Sequence, residues 1–147
     1  MPVMSRRDAI ILGAAISLAC TNGLEAAPAD AQAEIAKFTG GRMPDKAKIT
    51  LDLPDLAENG NGVPLSVLVD SPMTTADHVT DVLVVADGNP RPMIAAFQFT
   101  PAAGRAELTT RIRLAVSQNV IVLAKTSTGA LLTNQKLVKV TIGGCGG

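Results

Sequence analysis

Glu107-Leu108-Thr109-Thr110-Arg111-Ile112-Arg113-Leu114 decides the fold. Leu108, Thr110, Ile112 and Leu114 alternate with Glu107, Thr109, Arg111 and Arg113. That period of two belongs to a strand with one wet face, because successive Cβ atoms point to opposite sides of a sheet. The same period recurs on both sides of this stretch. Upstream, Met93, Ala95, Phe97 and Phe99 are expected on one face of a strand, and Val63, Leu65, Val67 and Val69 on one face of another. Ile49, Leu51 and Leu53 alternate with Lys48, Thr50 and Asp52. Val79 to Ala86 is apolar almost throughout, which predicts a strand covered on both faces. Downstream come Val120 to Ala124, a short Ala130–Leu132 segment, and Leu137 to Ile142.

Breaks separate these runs. Asn59-Gly60-Asn61-Gly62, Ser71-Pro72, Asp87-Gly88-Asn89-Pro90-Arg91-Pro92, Pro101 to Gly104 and Thr126-Ser127-Thr128-Gly129 are all turn compositions. About seven or eight short strands result, at the turn spacing of a sandwich. One short helix, Ala33 to Phe38, precedes them, with Asp30 as its N-cap if retained and Gly40-Gly41 as its stop. A single helix ahead of all the strands excludes repeated βαβ units. The expected fold is therefore all-β, an immunoglobulin-like antiparallel β-sandwich behind a short N-terminal helix. The chain has no Trp, so the Cys…Trp…Cys pattern of antibody domains is absent.

Composition narrows the function. The 147 residues suit one domain. Aromatics are 2% of the chain, too few for the stacking platforms that hold single-stranded nucleic acid. The formal net charge is zero, so there is no basic footprint for nucleic acid. No nucleic-acid partner is expected.

The N-terminus reads as a targeting segment. Arg6 and Arg7 form a twin-arginine pair within Ser5-Arg6-Arg7-Asp8. A modest apolar run from Ala9 to Ala19 follows, too short to span a bilayer, which takes about 20 residues. Ala29-Asp30-Ala31 and Ala31-Gln32-Ala33 offer small-x-small cleavage sites. Residues 1–31 are expected to be a cleaved Tat signal, which delivers a folded protein to the periplasm without stable membrane association. An ordinary Sec signal is the alternative. Leu18-Ala19-Cys20 makes a weak lipobox, because Ser17 stands where an aliphatic residue is usual.

Of the two cysteines, such a cleavage removes Cys20 and leaves Cys145 alone. An internal disulfide is then impossible, and the remaining thiol is either reactive or paired between chains. Cys145 sits in Gly143-Gly144-Cys145-Gly146-Gly147, directly after the last expected strand. Glycines on both sides carry no side-chain bulk and turn freely. With residues 32–142 as the domain, residues 143–147 are expected to be a flexible arm that offers a thiol to another molecule. No lysine, arginine, histidine or helix start flanks the sulfur, so its activation is expected in trans. His78 is the only histidine, and no metal site is expected from it. No nucleophile–base pair, phosphate loop or CxxC motif is visible, so the domain is not expected to be an enzyme.

The C-terminal run Val138-Lys139-Val140-Thr141-Ile142-Gly143-Gly144-Cys145-Gly146-Gly147 resembles the end of the SoxY family, the sulfur carriers of bacterial thiosulfate oxidation. Gly62-Val63-Pro64, Ser71-Pro72-Met73, and Gly88-Asn89-Pro90-Arg91-Pro92 leading to Phe97-Gln98-Phe99-Thr100-Pro101 also look typical of it. The resemblance implies a periplasmic heterodimer with SoxZ. It implies sulfur intermediates held covalently on Cys145, with no other cofactor, and an arm of Gly143, Gly144, Gly146 and Gly147. It further implies transient visits to the SoxAX cytochrome, the SoxB hydrolase and, where the pathway includes it, the SoxCD dehydrogenase. The competing expectation is an exported structural module that dimerises through a Cys145 disulfide.

Overall fold

The computed structural model describes residues 29–145. Arg6, Arg7, Cys20 and the bulk of the expected signal, with Gly146 and Gly147, lie outside the described residues. The chain begins with helix α1 (Ala29–Thr39) and continues through β1 (Ile49–Asp52), β2 (Leu56–Asn59), β3 (Val63–Val69) and β4 (Val79–Ala86). After β5 (Met93–Gln98) and a short 3-10 turn come β6 (Ala106–Ile112), β7 (Gln118–Thr126) and β8 (Leu131–Ile142). Two sheets form, in the orders β1-β3-β6 and β2-β8-β7-β4-β5. Stacked face to face, they make the expected immunoglobulin-like β-sandwich.

The alternation read from the sequence sets the layers. Along β3, Val63, Leu65, Val67 and Val69 are buried while Pro64 is exposed. Across the ladder, Ile112 lies opposite Val63 and Leu108 opposite Val67. These side chains meet Val82, Val84, Val120, Val122 and Val138 of the other sheet in one apolar cluster. Branched aliphatic side chains fill the core that the missing aromatics leave. Leu65 and Leu114 have no exposed surface, and each such burial is worth about 1.5–3 kcal/mol.

β4 is covered on both faces, as its apolar run predicts. Leu83 and Val85 point away from the main core and join Ile121 and Leu123 of β7 in a second cluster under α1. Ala31, Ile35 and Phe38 supply the helix side of that cluster. Lys125 adds its ammonium 4.4 Å from the centre of the Phe38 ring. α1 ends as expected: Gly40 and Gly41 both have positive φ, and the Gly41 amide reaches back to the Ala36 carbonyl at 3.3 Å.

Four details differ from the sequence reading. α1 already includes Ala29 and Asp30 where the described residues begin, so Asp30 is a helical residue and not its N-cap. No strand is expected at β2, yet it pairs in parallel with β8, the one parallel ladder among the described strands. The two short segments expected at Ala130–Leu132 and Leu137–Ile142 are one continuous strand of 12 residues. Finally, the β4–β5 ladder shifts register between Val84 and Val85. That bulge turns Met93 outward, half exposed, and brings Ile94 to the core alongside Phe97 and Phe99.

Candidate functional site

β8 delivers the C-terminal tail to a notch formed by Gly60–Asn61 and Leu114–Ala115. Backbone hydrogen bonds close it. The Gly60 amide donates to the Ile142 carbonyl, the Leu114 amide to Gly60, and the Gly144 amide to Leu114, each at 2.8 Å. One step further, the Cys145 amide donates to Asn61 Oδ1 at 3.1 Å. Asn61 is itself turned back, its own amide donating to Asn59 Oδ1 at 2.9 Å. The parallel β2–β8 ladder, ending in the pair Asn59 and Ile142, brings these segments together.

The glycines of this site are needed for space. A Cβ at Gly60 would stand 2.1 Å from the Leu114 carbonyl oxygen and 2.7 Å from the Gly144 nitrogen. At Gly143 it would stand 2.1 Å from the Ala115 oxygen, and at Gly144 2.6 Å from the Gly60 oxygen. Among the described residues the glycines with positive φ are Gly40, Gly41, Gly104 and Gly129, none of which belongs to the notch. Close backbone approach, and not an unusual dihedral, accounts for Gly60, Gly143 and Gly144. The arm expected to swing from residue 143 is thus docked over its first two residues. Cys145 is the first tail residue whose side chain is exposed beyond the dock, and its thiol is unpaired.

A buried polar network holds the loop that supplies half of the notch. Asn89 Nδ2 donates to the Arg113 carbonyl at 2.8 Å, and Asn89 Oδ1 accepts from the Ala115 amide at 2.9 Å. Gln118 Nε2 donates to Asn89 Oδ1 at 2.8 Å and to the Val116 carbonyl at 3.0 Å. Gln118 Oε1 accepts from the Gly88 amide at 2.7 Å. Asn89 and Gln118 are both buried, and a satisfied network in a dry setting fixes one geometry. The turn Gly88–Pro92 is thereby coupled to the tail.

His78 stands apart. Its Nδ1 lies 3.0 Å from the Thr74 carbonyl, and its neighbour Val79 pairs with Thr126. The tail leaves the opposite end of the same sheet, past the Gln118–Val138 pair. Cys145 and His78 therefore form no catalytic pair. Among the described residues no group of three His, Cys, Asp or Glu side chains could hold a metal ion. No helix of the described residues is long and apolar enough to cross a membrane.

Fold and site together define a small β-sandwich protein that presents one accessible thiol just past its last strand. The family described as sulfur oxidation protein SoxY matches residues 35–145, a span that ends on that cysteine, and the chain belongs to the SoxY family. It is similar to the solved structure of the sulfur carrier protein SoxY from Chlorobium limicola f thiosulfatophilum. The two are 30% identical with a TM-score of 0.62, over 77% of this chain and 97% of that one. Superoxide reductase (neelaredoxin) from Ignicoccus hospitalis matches with a TM-score of 0.58 and 17% identity, over 77% of this chain and 92% of that one. That likeness is one of fold alone. No curated protein matches the chain.

Proposed function

We propose that this protein is a covalent carrier in thiosulfate oxidation, with Cys145 as the attachment point. The observation that carries the reading is the exposed, unpaired Cys145, anchored by its own amide and placed at the end of the family match. The protein is a substrate for its partners and not an enzyme.

In this reading Cys145 joins the outer sulfur of thiosulfate. The thiol loses its proton, a sulfur–sulfur bond forms, and two electrons leave to a c-type cytochrome, the part assigned to SoxAX. Water then cleaves the terminal bond, the part assigned to SoxB: sulfate departs with two protons released, and a persulfide stays on Cys145. The SoxCD dehydrogenase, where present, oxidises that remaining sulfur. SoxZ is the stable partner in a heterodimer, and the setting is the periplasm, reached through the Arg6-Arg7 signal. Gly143 and Gly144 leave the notch when an enzyme draws the arm in, and with Gly146 and Gly147 they keep it slim enough for a narrow channel. Reactivity comes from each enzyme's own pocket.

Intact mass spectrometry after incubation with thiosulfate and the oxidising enzymes tests this. Adducts should appear on the wild-type chain and vanish in Cys145→Ser, which should fold normally. Undiminished substrate oxidation by Cys145→Ser, or activity only of a disulfide-linked dimer that reduction destroys, would sink the carrier reading.

A further inference from the structure

A cleft of about 360 Å³ opens between β5 and β6, and Asn89, Met93, Ile94 and the three arginines Arg91, Arg111 and Arg113 are among the residues that line it. No carboxylate lines it. The chain as a whole is neutral, so three arginines around one cleft are a local excess of positive charge. Among the described residues the ion pairs are Arg105–Glu107 and Lys136–Asp55, and neither neutralises this cleft. Arg91 also borders a second cavity with Asp30 and Glu34, without pairing to either.

This cleft adjoins the dock. Arg111 Nη1 donates to the Gly62 carbonyl at 3.2 Å, and Gly62 follows Asn61, which holds the Cys145 amide. Arg113 precedes Leu114, whose carbonyl holds the Gly144 amide. Both anchors of the Gly144–Cys145 segment are thus chain neighbours of residues tied to the cleft. Asn89 serves both, lining the cleft and fixing the Arg113 carbonyl.

We propose that this cleft is a non-covalent site for a tetrahedral sulfur oxyanion. A planar guanidinium donates two parallel N–H bonds to two oxygens of such an anion, and two or three guanidiniums match a sulfonate or sulfate group. The oxyanion has two sources: free sulfate or thiosulfate, or the sulfonate end of the group borne by Cys145. The proposal deepens the carrier reading and rests on it only for the second source.

The test uses the full mature chain, followed by NMR at constant ionic strength with chloride replaced by sulfate. Saturable shifts at residues 89–91 and 111–113 are expected, with affinity falling at least about tenfold in Arg111→Gln/Arg113→Gln, given that charge-assisted bidentate bonds are being removed. Arg113→Lys, which keeps the charge but loses the fork, should fall between the two. Cys145→Ser should bind free sulfate as wild type does. In a parallel arm, tetrathionate loads Cys145: the thiolate displaces thiosulfate and keeps an S–SO3⁻ group. If the loaded sulfonate enters the cleft, the side-chain Nε–H signals of Arg111 and Arg113 move and sulfate binding weakens. If only free anion uses it, sulfate binds equally before and after loading. If only the carried group uses it, sulfate gives no saturable shift while loading still moves the arginine signals. No saturable sulfate binding together with no arginine response to loading overturns the proposal, as does equal sulfate affinity in a folded Arg111→Gln/Arg113→Gln. The carrier reading stands or falls separately, on whether adducts map to Cys145.

Discussion

The Gly144 amide donates to the Leu114 carbonyl at 2.8 Å, which joins the residue before the thiol to the loop after β6. The carrier end of the molecule is therefore a docked segment with a free tip. Apart from the Cys145 amide, the groups that make the dock belong to other residues, so docking and chemistry can be tested apart.

Gly60 is the tightest point. A methyl group there meets backbone on two sides, and backbone cannot rotate away. Gly60→Ala should cost about 1–3 kcal/mol by urea denaturation, as overpacking does. Gly143→Ala faces an equally close oxygen, but the tail can lift off instead. Its stability should change by less than about 0.5 kcal/mol, as for surface changes, while the Gly144 amide loses protection from hydrogen exchange.

Asn61→Ala removes the acceptor for the Cys145 amide. The bond is exposed, so global stability should fall by no more than about 1 kcal/mol. Backbone order at Cys145 should drop measurably by NMR relaxation, with the sandwich unchanged.

Asn89→Leu tests the buried network. It strands the Ala115 amide and one of the two Gln118 Nε2 protons, both now satisfied by Asn89 Oδ1. A loss of about 2–4 kcal/mol is expected, since each unpaired buried group costs about 1–3 kcal/mol. Tail protection should fall as well, because residues 113–116 lose their support. Normal protection of Gly144 in a folded Asn89→Leu would show that the network does not position the dock.

Lys136 separates geometry from charge. Its Nζ contacts both the Leu53 carbonyl and the Asp55 carboxylate, and Asp55 is almost fully exposed. Asp55→Asn should change stability by less than about 0.5 kcal/mol. Lys136→Met, which also abandons the carbonyl, should cost about 1 kcal/mol. Equal losses in the two variants would assign the effect to the ion pair.

The sandwich was legible because β3 and β6 alternate cleanly and β4 is apolar on both faces; those patterns map directly onto one core-facing or two core-facing sides. β2 was not legible. Leu56-Ala57-Glu58-Asn59 has no alternating apolar pair and contains residues that disfavour strands, so only its pairing with β8 makes it one. The bulge at Val84–Val85 was equally hidden, since a register shift depends on the partner strand, and it reversed the expected facing of Met93. Cys145 could be singled out from its glycine surroundings. Its dock could not, because Gly60 and Leu114 lie far from it in sequence and Asn59-Gly60-Asn61-Gly62 reads as an ordinary turn. Glycine signals freedom in a sequence; only the facing carbonyls of Leu114 and Ala115 reveal a need for room.

β8 is bonded to β7 over Leu131–Val138 and to β2 over Lys139–Ile142. A force applied to the sulfur runs along this strand, crosswise to those bonds, and so strains many of them together. Peeling them one by one would take far less. A pull on Cys145 would therefore stretch the tail while the sandwich behind it stays whole.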